Sequence, residues 1–178
     1  ARLGMVEVTL LGLAQDGGRP QAGCTRSCCA GLSPSEASFP VALGITDGEE
    51  NHLIEATRFL GQQMTLWNQS NIDNVLLTHA HFGHVDGLGL FGRETMNARG
   101  VGLHISSEME HLVDGTPQWS LMVDQGVFTP KIFHDGDALR LSEHLTVQPI
   151  RVPHRDELSD MHAFVVRGPN RSLLFLPD

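Results

Sequence analysis

The chain has 178 residues, close to the usual length of one domain and enough to bury a hydrophobic core, so one domain over residues 1–178 is predicted. Its 40% hydrophobic and 19% charged residues and 19 glycines are typical of a globular protein with many turns, which excludes fibrous and disordered classes. A net charge of -9 and the lack of an apolar run near the roughly 18 residues of a membrane span predict neither nucleic acid nor membrane as a partner.

Apolar periodicity and turn-forming residues predict strands and one helix in the first part of the chain. In chain order the predicted elements are strands at 6–13, 41–46 and 52–56, a helix at 59–67 and a strand at 74–78. Asp47-Gly48 joins the second and third strands as a hairpin. The run Val75-Leu76-Leu77 is typical of a short strand covered on both faces of a sheet.

The second part of the chain begins with helical patterns and then turns to β structure. The predicted elements are helices at 88–99, 107–113 and 118–124, with strands at 101–105, 129–133, 138–141, 145–152, 162–167 and 172–176. No internal repeat is present. Strands and helices mixed in this order predict the α/β class, as a sandwich with covered sheets.

Three cysteines, Cys24, Cys28 and Cys29, lie close together in the loop after the first predicted strand. An odd, clustered set does not form a disulfide framework, so it indicates reduced thiols or a metal site. The spacing of Cys24 from Cys28 or Cys29 is within the range that zinc thiolate pairs use. A separate structural zinc site and free thiols both remain open.

The most informative segment is Thr78-His79-Ala80-His81-Phe82-Gly83-His84-Val85-Asp86-Gly87-Leu88, which follows a predicted buried strand. His79 and His81 are two residues apart at the strand end and can project toward one side, and His84 follows after a turn. Neutral imidazole is a good ligand for first-row cations. The segment therefore predicts a metal site rather than three unrelated surface histidines.

This segment resembles the signature of the metallo-β-lactamase superfamily, His-x-His-x-Asp-His followed by Gly-Leu, and the resemblance extends over the whole chain. Residues 11–18, 20–24 and 152–157 are similar to the branch related to the pyrroloquinoline quinone synthesis B protein. The resemblance implies an αββα sandwich with metals, usually zinc, between the sheet edges. Relatives such as the phosphonate-pathway cyclic phosphodiesterase hold a structural zinc in a similar cysteine-rich loop.

The resemblance also implies the metal ligands. His79, His81 and His154 match the ligands of the first metal, His84 matches a ligand of the second, and Asp178 matches the carboxylate that bridges both. Three histidines and a water form a tetrahedral zinc site, in which the pKa of the water falls to about 7. One or two zinc ions are the expected cofactor, and iron or manganese is the alternative.

The chain departs from the family pattern at Gly83 and in its length. Gly83 stands where the family usually has an aspartate of the second site, and glycine has no side chain to bind a metal. We therefore expect weaker binding at the second site, with Asp86 as a compensating ligand, and higher second-metal affinity in Gly83→Asp. The family's last histidine ligand follows the bridging aspartate, so the chain is expected to be incomplete at its C-terminus.

Other polar residues near the motif are expected to support the ligands. Asp16 and Glu55 are predicted to be structural or to orient ligands, and Glu55 stands where the superfamily often has a buried aspartate that braces the histidine loop. Arg155 is a candidate for orienting an anionic substrate. Asp156 or Asp160 is a candidate for holding the second nitrogen of an imidazole, and a solvated turn is the simpler interpretation of both.

The remaining histidines are interpreted more simply. His162, which begins a predicted strand, is the one rival to His154 as third ligand. Five others are predicted to be ordinary surface residues: His52, His104, His111, His134 and His144.

Three functions from different classes fit these patterns. The first is a hydrolase that uses metal-bound hydroxide on an ester, lactam or phosphodiester of a small-molecule substrate. The second is an iron-dependent oxygenase or an accessory protein of quinone-cofactor synthesis. The third is a degenerate binding protein that kept the fold and lost turnover, which Gly83 favours. A homodimer is compatible with each, and the sequence does not distinguish the cytoplasm from the periplasm.

Overall fold

Ten strands form two sheets in residues 4–178, the part of the chain that the computed structural model describes. The strands are β1 (Val6–Gly12), β2 (Ala42–Asp47), β3 (Glu50–Ile54), β4 (Asn74–Leu76), β5 (Val101–Ile105), β6 (Phe128–Ile132), β7 (Leu139–Arg140), β8 (Thr146–Val152), β9 (Met161–Arg167) and β10 (Ser172–Phe175). The first sheet has the order β1-β2-β3-β4-β5-β6 and the second β10-β9-β8-β7. The helices are α1 (Leu60–Trp67), α2 (Phe82–Val85), α3 (Ser107–Gly115) and α4 (Pro117–Asp124).

Strand directions bring several loops to one edge of the structure. β1 and β3 both run antiparallel to β2, and β4 runs parallel to β3, so β1, β3 and β4 all end at the same edge. In the second sheet, β8 and β10 both run antiparallel to β9 and also share an end. Chemistry-bearing residues that follow β1, β3, β4, β8 and β10 can therefore meet.

A cluster of buried apolar side chains lies between the two sheets. Leu43, Ile54 and Leu76 of the first sheet pack with Val147 and Phe164 of the second, and all five are fully buried. Burial of each such side chain contributes about 1.5–3 kcal/mol of transfer free energy. This core holds the two sheets at a fixed separation below the edge where the loops meet.

A second core lies between the first sheet and the helices. Val75 and Leu77 pack here with residues of α1, α3 and α4, whereas Leu76 between them faces the second sheet. This confirms the prediction of a strand covered on both faces. Among residues 4–178 the helices pack on the first sheet, which gives three layers of the predicted αββα sandwich. None of these helices has the length and apolar character needed to cross a membrane.

The predicted helix at 88–99 is wrong, whereas the other predicted elements overlap an observed element of the same type. Only Leu88–Phe91 forms a short 3₁₀ helix, which ends at Gly92 in an extended conformation (φ -71°, ψ -179°). Asn97 then adopts a left-handed conformation with φ 51°. Glycine is a poor helix former, and its effect outweighed the helical spacing of the apolar residues.

His52 and His104 are buried, so the prediction that they are surface residues is wrong. They lie on β3 and β5, interior strands of the first sheet whose two faces are both covered. Asn74 on β4 donates to His52 Nδ1 (3.1 Å) and accepts from His104 Nε2 (2.8 Å). Burial, with a contribution from Lys131, lowers the pKa of His104 to about 4, so the ring is neutral.

Asp47 at the end of β2 connects the two sheets. Its buried carboxylate accepts hydrogen bonds from Ser142 Oγ (2.7 Å), from the His144 backbone N–H (2.9 Å) and from His144 Nδ1 (3.1 Å), all in the turn between β7 and β8. Burial raises the pKa of Asp47, but these hydrogen bonds outweigh burial and the pKa is lowered. His144 is therefore a half-buried structural residue, whereas His111 and His134 are exposed, as predicted.

We expect Asp47→Ala to lower the free energy of unfolding by about 3 kcal/mol, because three hydrogen-bond donors lose their charged acceptor. The folded-state pKa lies below the usual value of about 3.9, so this stabilisation is present above that pH and is lost as the pH falls through the folded-state value. Urea unfolding from pH 7 to pH 3 measures it, with exposed Glu49→Ala as the matched control. A deficit that stays constant down to pH 3 would contradict the assigned role.

Candidate metal centre

Two hydrogen bonds fix the loop that carries the first two histidines. The loop follows β4 and leads into α2. At the start of the loop, the Thr78 carbonyl accepts a hydrogen bond from the His162 backbone N–H (3.0 Å). The Ala80 N–H donates to Ser159 Oγ (3.1 Å). The loop is thereby tied to the start of β9 and to the segment before it, which also carries His154.

His79, His81, His154 and Asp178 meet at one point. Their four ligand atoms all lie within 4.8 Å of one another. His154 Nε2 is 3.2 Å from His81 Nδ1, and Asp178 Oδ2 is 3.5 Å from His79 Nε2 and 3.6 Å from His154 Nε2. The His79 side chain is 1% exposed and the Asp178 side chain 28%, so the cluster is anchored in the core and open to solvent on one side.

The hydrogen bonds of His79 assign its tautomer. The Thr78 hydroxyl donates to Glu55 Oε2 (2.9 Å), so it accepts a hydrogen bond from His79 Nδ1 (2.9 Å). The lone pair of His79 Nε2 then points into the cluster, and this buried atom has no hydrogen-bond partner. Burial and the neighbouring histidines lower the pKa of His79 to about 2, so the ring stays neutral. Such an unpartnered, neutral nitrogen fits a metal ligand.

His81 is oriented in the same way by an acidic residue. Its Nε2 donates to Glu157 Oε1 (3.0 Å), which leaves Nδ1 to face the cluster. Hydrogen bonds from its own backbone N–H and from His81 lower the pKa of Glu157. Thr78 and Glu157 are therefore the orienting residues that the sequence did not single out. The role predicted for Asp156 is not observed, because Asp156 is exposed. Asp160 accepts from Ser106, and its other oxygen lies 3.9 Å from Nδ1 of His162, an imidazole outside the cluster.

His84 lies at a second cluster beside the first. Its Nδ1 forms a hydrogen bond with Glu55, which is fully buried. Its Nε2 is 3.1 Å from Asp16 Oδ1 and 3.4 Å from Asp178 Oδ2. Burial lowers the pKa of His84, but the carboxylates of Glu55, Asp16 and Asp178 outweigh it and raise the pKa to about 9. Without a cation, His84 is therefore positively charged.

Other candidates lie outside these two clusters. His162 is buried against Phe133, and its ring is in neither cluster, so the structure favours His154 over this rival. Asp86 ends α2 and is held by Arg58 at 2.6 Å, so the structure does not support it as a compensating ligand. Arg155 is 73% exposed and 3.6 Å from Glu157, which places a positive charge at the rim of the site.

The three cysteines also come together, in a loop after β1. Ligand atoms of Cys24, Cys28 and Cys29 lie within 4.8 Å of one another, and Cys28 Sγ is 3.9 Å from Cys29 Sγ. No disulfide links them in the described residues. A structural zinc usually has four protein ligands. A separate structural zinc site therefore stays a prediction, as do the ligand roles of His79, His81, His84, His154 and Asp178.

A family model for beta-lactamase superfamily domains matches residues 47–178, well over half of the chain. The chain belongs to this superfamily. The match includes both histidine clusters except Asp16, which lies before residue 47. The family predicted from the histidine segment and its flanking segments is thus confirmed. A comparison with curated proteins finds no match.

Several solved structures share this fold. Zn(2+)-bound PqqB from Methylobacterium extorquens is similar at a TM-score of 0.80 and 20% identity, with 96% of this chain and 61% of that chain covered. A diphosphatase from the PhnP family has a TM-score of 0.69 and 20% identity, over 91% and 63% of the two chains. The short form of human tRNase Z has a TM-score of 0.63 and 16% identity, over 97% and 68%. The predicted metallo-β-lactamase fold is confirmed, and the chain spans less than two thirds of the first two structures.

Proposed function

We propose that this chain is a metal-dependent hydrolase of an ester, lactam or phosphodiester bond in a small-molecule substrate. The convergence of His79 Nε2, His81 Nδ1 and His154 Nε2 beside Asp178 supports it, because three imidazole nitrogens with an open position fit a catalytic zinc site. A bound zinc lowers the pKa of a water to about 7 and polarises the scissile group. Zinc is accordingly the proposed cofactor.

The chain's own residues prepare this chemistry. Thr78 and Glu157 keep a proton on the outward nitrogens of His79 and His81, so the inward nitrogens stay free to bind. Asp178, the partly exposed carboxylate of the cluster, is placed to accept a proton from the attacking water. Arg155 at the rim is placed to attract an anionic group of the substrate.

A surface cavity of about 340 Å³ beside Asp178 suits a small molecule. Its walls include Leu13, Leu174, Leu176 and Pro177, which are apolar and can pack against the body of a substrate. The reacting bond would then lie at Asp178, and the apolar part of the substrate would lie in the cavity. This arrangement supports a small-molecule substrate with a hydrolysable polar group.

Hydrolysis by the purified protein loaded in turn with zinc, iron and manganese tests the proposal. Because the similar structures include a diphosphatase and a tRNase Z, bis(p-nitrophenyl) phosphate is the first substrate to assay, followed by p-nitrophenyl acetate and a chromogenic β-lactam. We expect zinc-dependent turnover of at least one of them, which a chelator abolishes. Zinc-loaded protein that hydrolyses none of the three classes would contradict the proposal.

The similarity to PqqB favours a second candidate, an iron-dependent oxygenase or accessory protein of quinone-cofactor synthesis. Its site would need iron, which two histidines and a carboxylate bind with open positions for oxygen. Oxygen uptake by the iron-loaded protein, with no hydrolysis by the zinc-loaded protein, would select this candidate. A protein with neither activity would be the degenerate binding protein.

A further inference from the structure

Asp16 fills the space that a side chain at Gly83 would need. A Cβ built on Gly83 would lie 2.4 Å from both Cα and Cβ of Asp16 and 2.6 Å from its Cγ. These distances are far below van der Waals contact, and one of them involves backbone. Any side chain at position 83 therefore requires the Asp16 backbone to move.

Backbone hydrogen bonds on both sides hold Asp16 in this place. The Ala14 N–H donates to Phe39 O (2.9 Å), and the Arg19 N–H donates to Ser38 O (2.8 Å). Between these anchors, the Gly18 N–H closes a turn onto Gln15 O (2.8 Å). Because β1 ends at the same edge as β4, the turn lies directly over α2 and its Gly83.

The Asp16 carboxylate points to the second cluster. Its Oδ1 is 3.1 Å from Nε2 of His84, and ligand atoms of Asp16, His84 and Asp178 lie within 4.8 Å of one another. The His84 side chain is fully buried, whereas that of Asp16 is 44% exposed and closes the cluster from the solvent side. One imidazole and two carboxylates form a donor set for a divalent first-row cation.

We infer that Asp16 supplies the second-site carboxylate that the family pattern has at position 83, so that Asp16, His84 and Asp178 bind a second cation. The carboxylate has moved from the histidine loop to the turn after β1, and glycine at position 83 provides the room. This inference rests on the metal-dependent function proposed above. It replaces the expectation that Gly83→Asp raises second-metal affinity, because the new side chain would collide with Asp16.

Exchange of the carboxylate between the two positions tests the inference. The variants are Asp16→Asn, Gly83→Asp and the double variant Asp16→Gly/Gly83→Asp, with Asp86→Asn as the control carboxylate outside the cluster. Zinc titration calorimetry of the metal-free proteins measures the number of sites and both Kd values. The absorption spectrum of the cobalt-substituted proteins reports each site separately, and thermal unfolding verifies that each variant is folded.

We expect two equivalents of zinc in the wild type and in Asp86→Asn. Asp16→Asn keeps the size of the side chain but removes its charge. Loss of a residue that only orients a ligand costs roughly 10–100-fold in metal affinity, so loss of a ligand should raise the second Kd by at least that much. Gly83→Asp alone should also weaken the second site, and the double variant should recover the second equivalent. The double variant can recover the second equivalent only if it is folded. Recovery would therefore show that Asp16→Asn weakens the second site by removing a ligand and not by disrupting the structure.

Two results would overturn the inference. If Asp16→Asn retains the wild-type stoichiometry and both Kd values, Asp16 is not a ligand, while the proposed function stands on the first site. If Gly83→Asp alone tightens the second site, the two side chains do not compete for one space. A wild type with no tight site would overturn both the inference and the proposed function.

Discussion

His79→Ala is expected to reduce zinc-dependent hydrolysis by roughly 10³-fold, because the proposed first site would lose its most buried histidine and with it the several kcal/mol that a catalytic metal contributes. His79 carries the unpartnered nitrogen of the first cluster, and its tautomer is set by Thr78. Zinc affinity at the first site should fall by more than the roughly 10–100-fold cost of losing an orienting residue. Steady-state kinetics of the zinc-loaded protein and metal analysis after dialysis measure the two effects.

His111→Ala is the matched control for this prediction. His111 is exposed on α3 and lies outside both clusters, so its replacement should leave zinc content and turnover unchanged. If His79→Ala and His111→Ala have the same zinc content and the same kcat, the first cluster is not a zinc site. A folded His79→Ala protein that has lost zinc but keeps its turnover would show that hydrolysis does not depend on this cluster.

The meeting of the histidines was predictable because they stand at strand ends. His79 and His81 directly follow a short apolar run, His154 follows another predicted strand, and Asp178 follows the last one. β8 and β10 both run antiparallel to β9 and therefore share an end, and the residues that follow them meet the loop after β4 in one cluster. β4 was readable because Val75 and Leu77 face one core and Leu76 faces the other, which produces a short continuous apolar run.

The residues that orient the ligands were harder to predict because their partners are distant in sequence. Glu157 lies in a polar turn that reads equally well as solvated, and only the folded chain shows its contact with His81. Asp16 was predicted as a structural or orienting residue, and only the folded chain shows that it lies against Gly83 and 3.1 Å from His84 Nε2. Similarly, nothing in the local sequence around His52 or His104 indicates that β3 and β5 are interior strands.

Glu55 supports both clusters from the core. It follows β3, is fully buried, and accepts hydrogen bonds from the Thr78 backbone N–H and hydroxyl, both at 2.9 Å. Its other contact is the hydrogen bond to His84. It also has a left-handed backbone conformation with φ 74°, which is strained for a residue with a side chain. These contacts agree with the predicted role of a buried acid that braces the histidine loop.

Glu55→Ala is expected to lower the free energy of unfolding of the metal-free protein by about 3–5 kcal/mol, the usual cost of leaving one charge of a buried pair without its partner. The Nδ1–H of the His84 ring and the N–H of Thr78 would both be left buried without an acceptor. Glu55→Gln has the same backbone strain and keeps an acceptor for Thr78, so it should lose less. Chemical unfolding of the wild type and both variants measures these differences.

Zinc affinity should follow the same order, because Glu55 orients His84 directly and His79 through Thr78. Loss of such an orienting residue costs roughly 10–100-fold in metal affinity, and we expect Glu55→Ala to reach the upper end of that range. In Glu55→Gln an amide oxygen can take the place of Oε2, which accepts from both Thr78 Oγ and His84 Nδ1, so both sites should lose less affinity than in Glu55→Ala. Titration calorimetry with zinc resolves the two sites. Wild-type zinc affinity at both sites in Glu55→Ala would contradict the orienting role of Glu55.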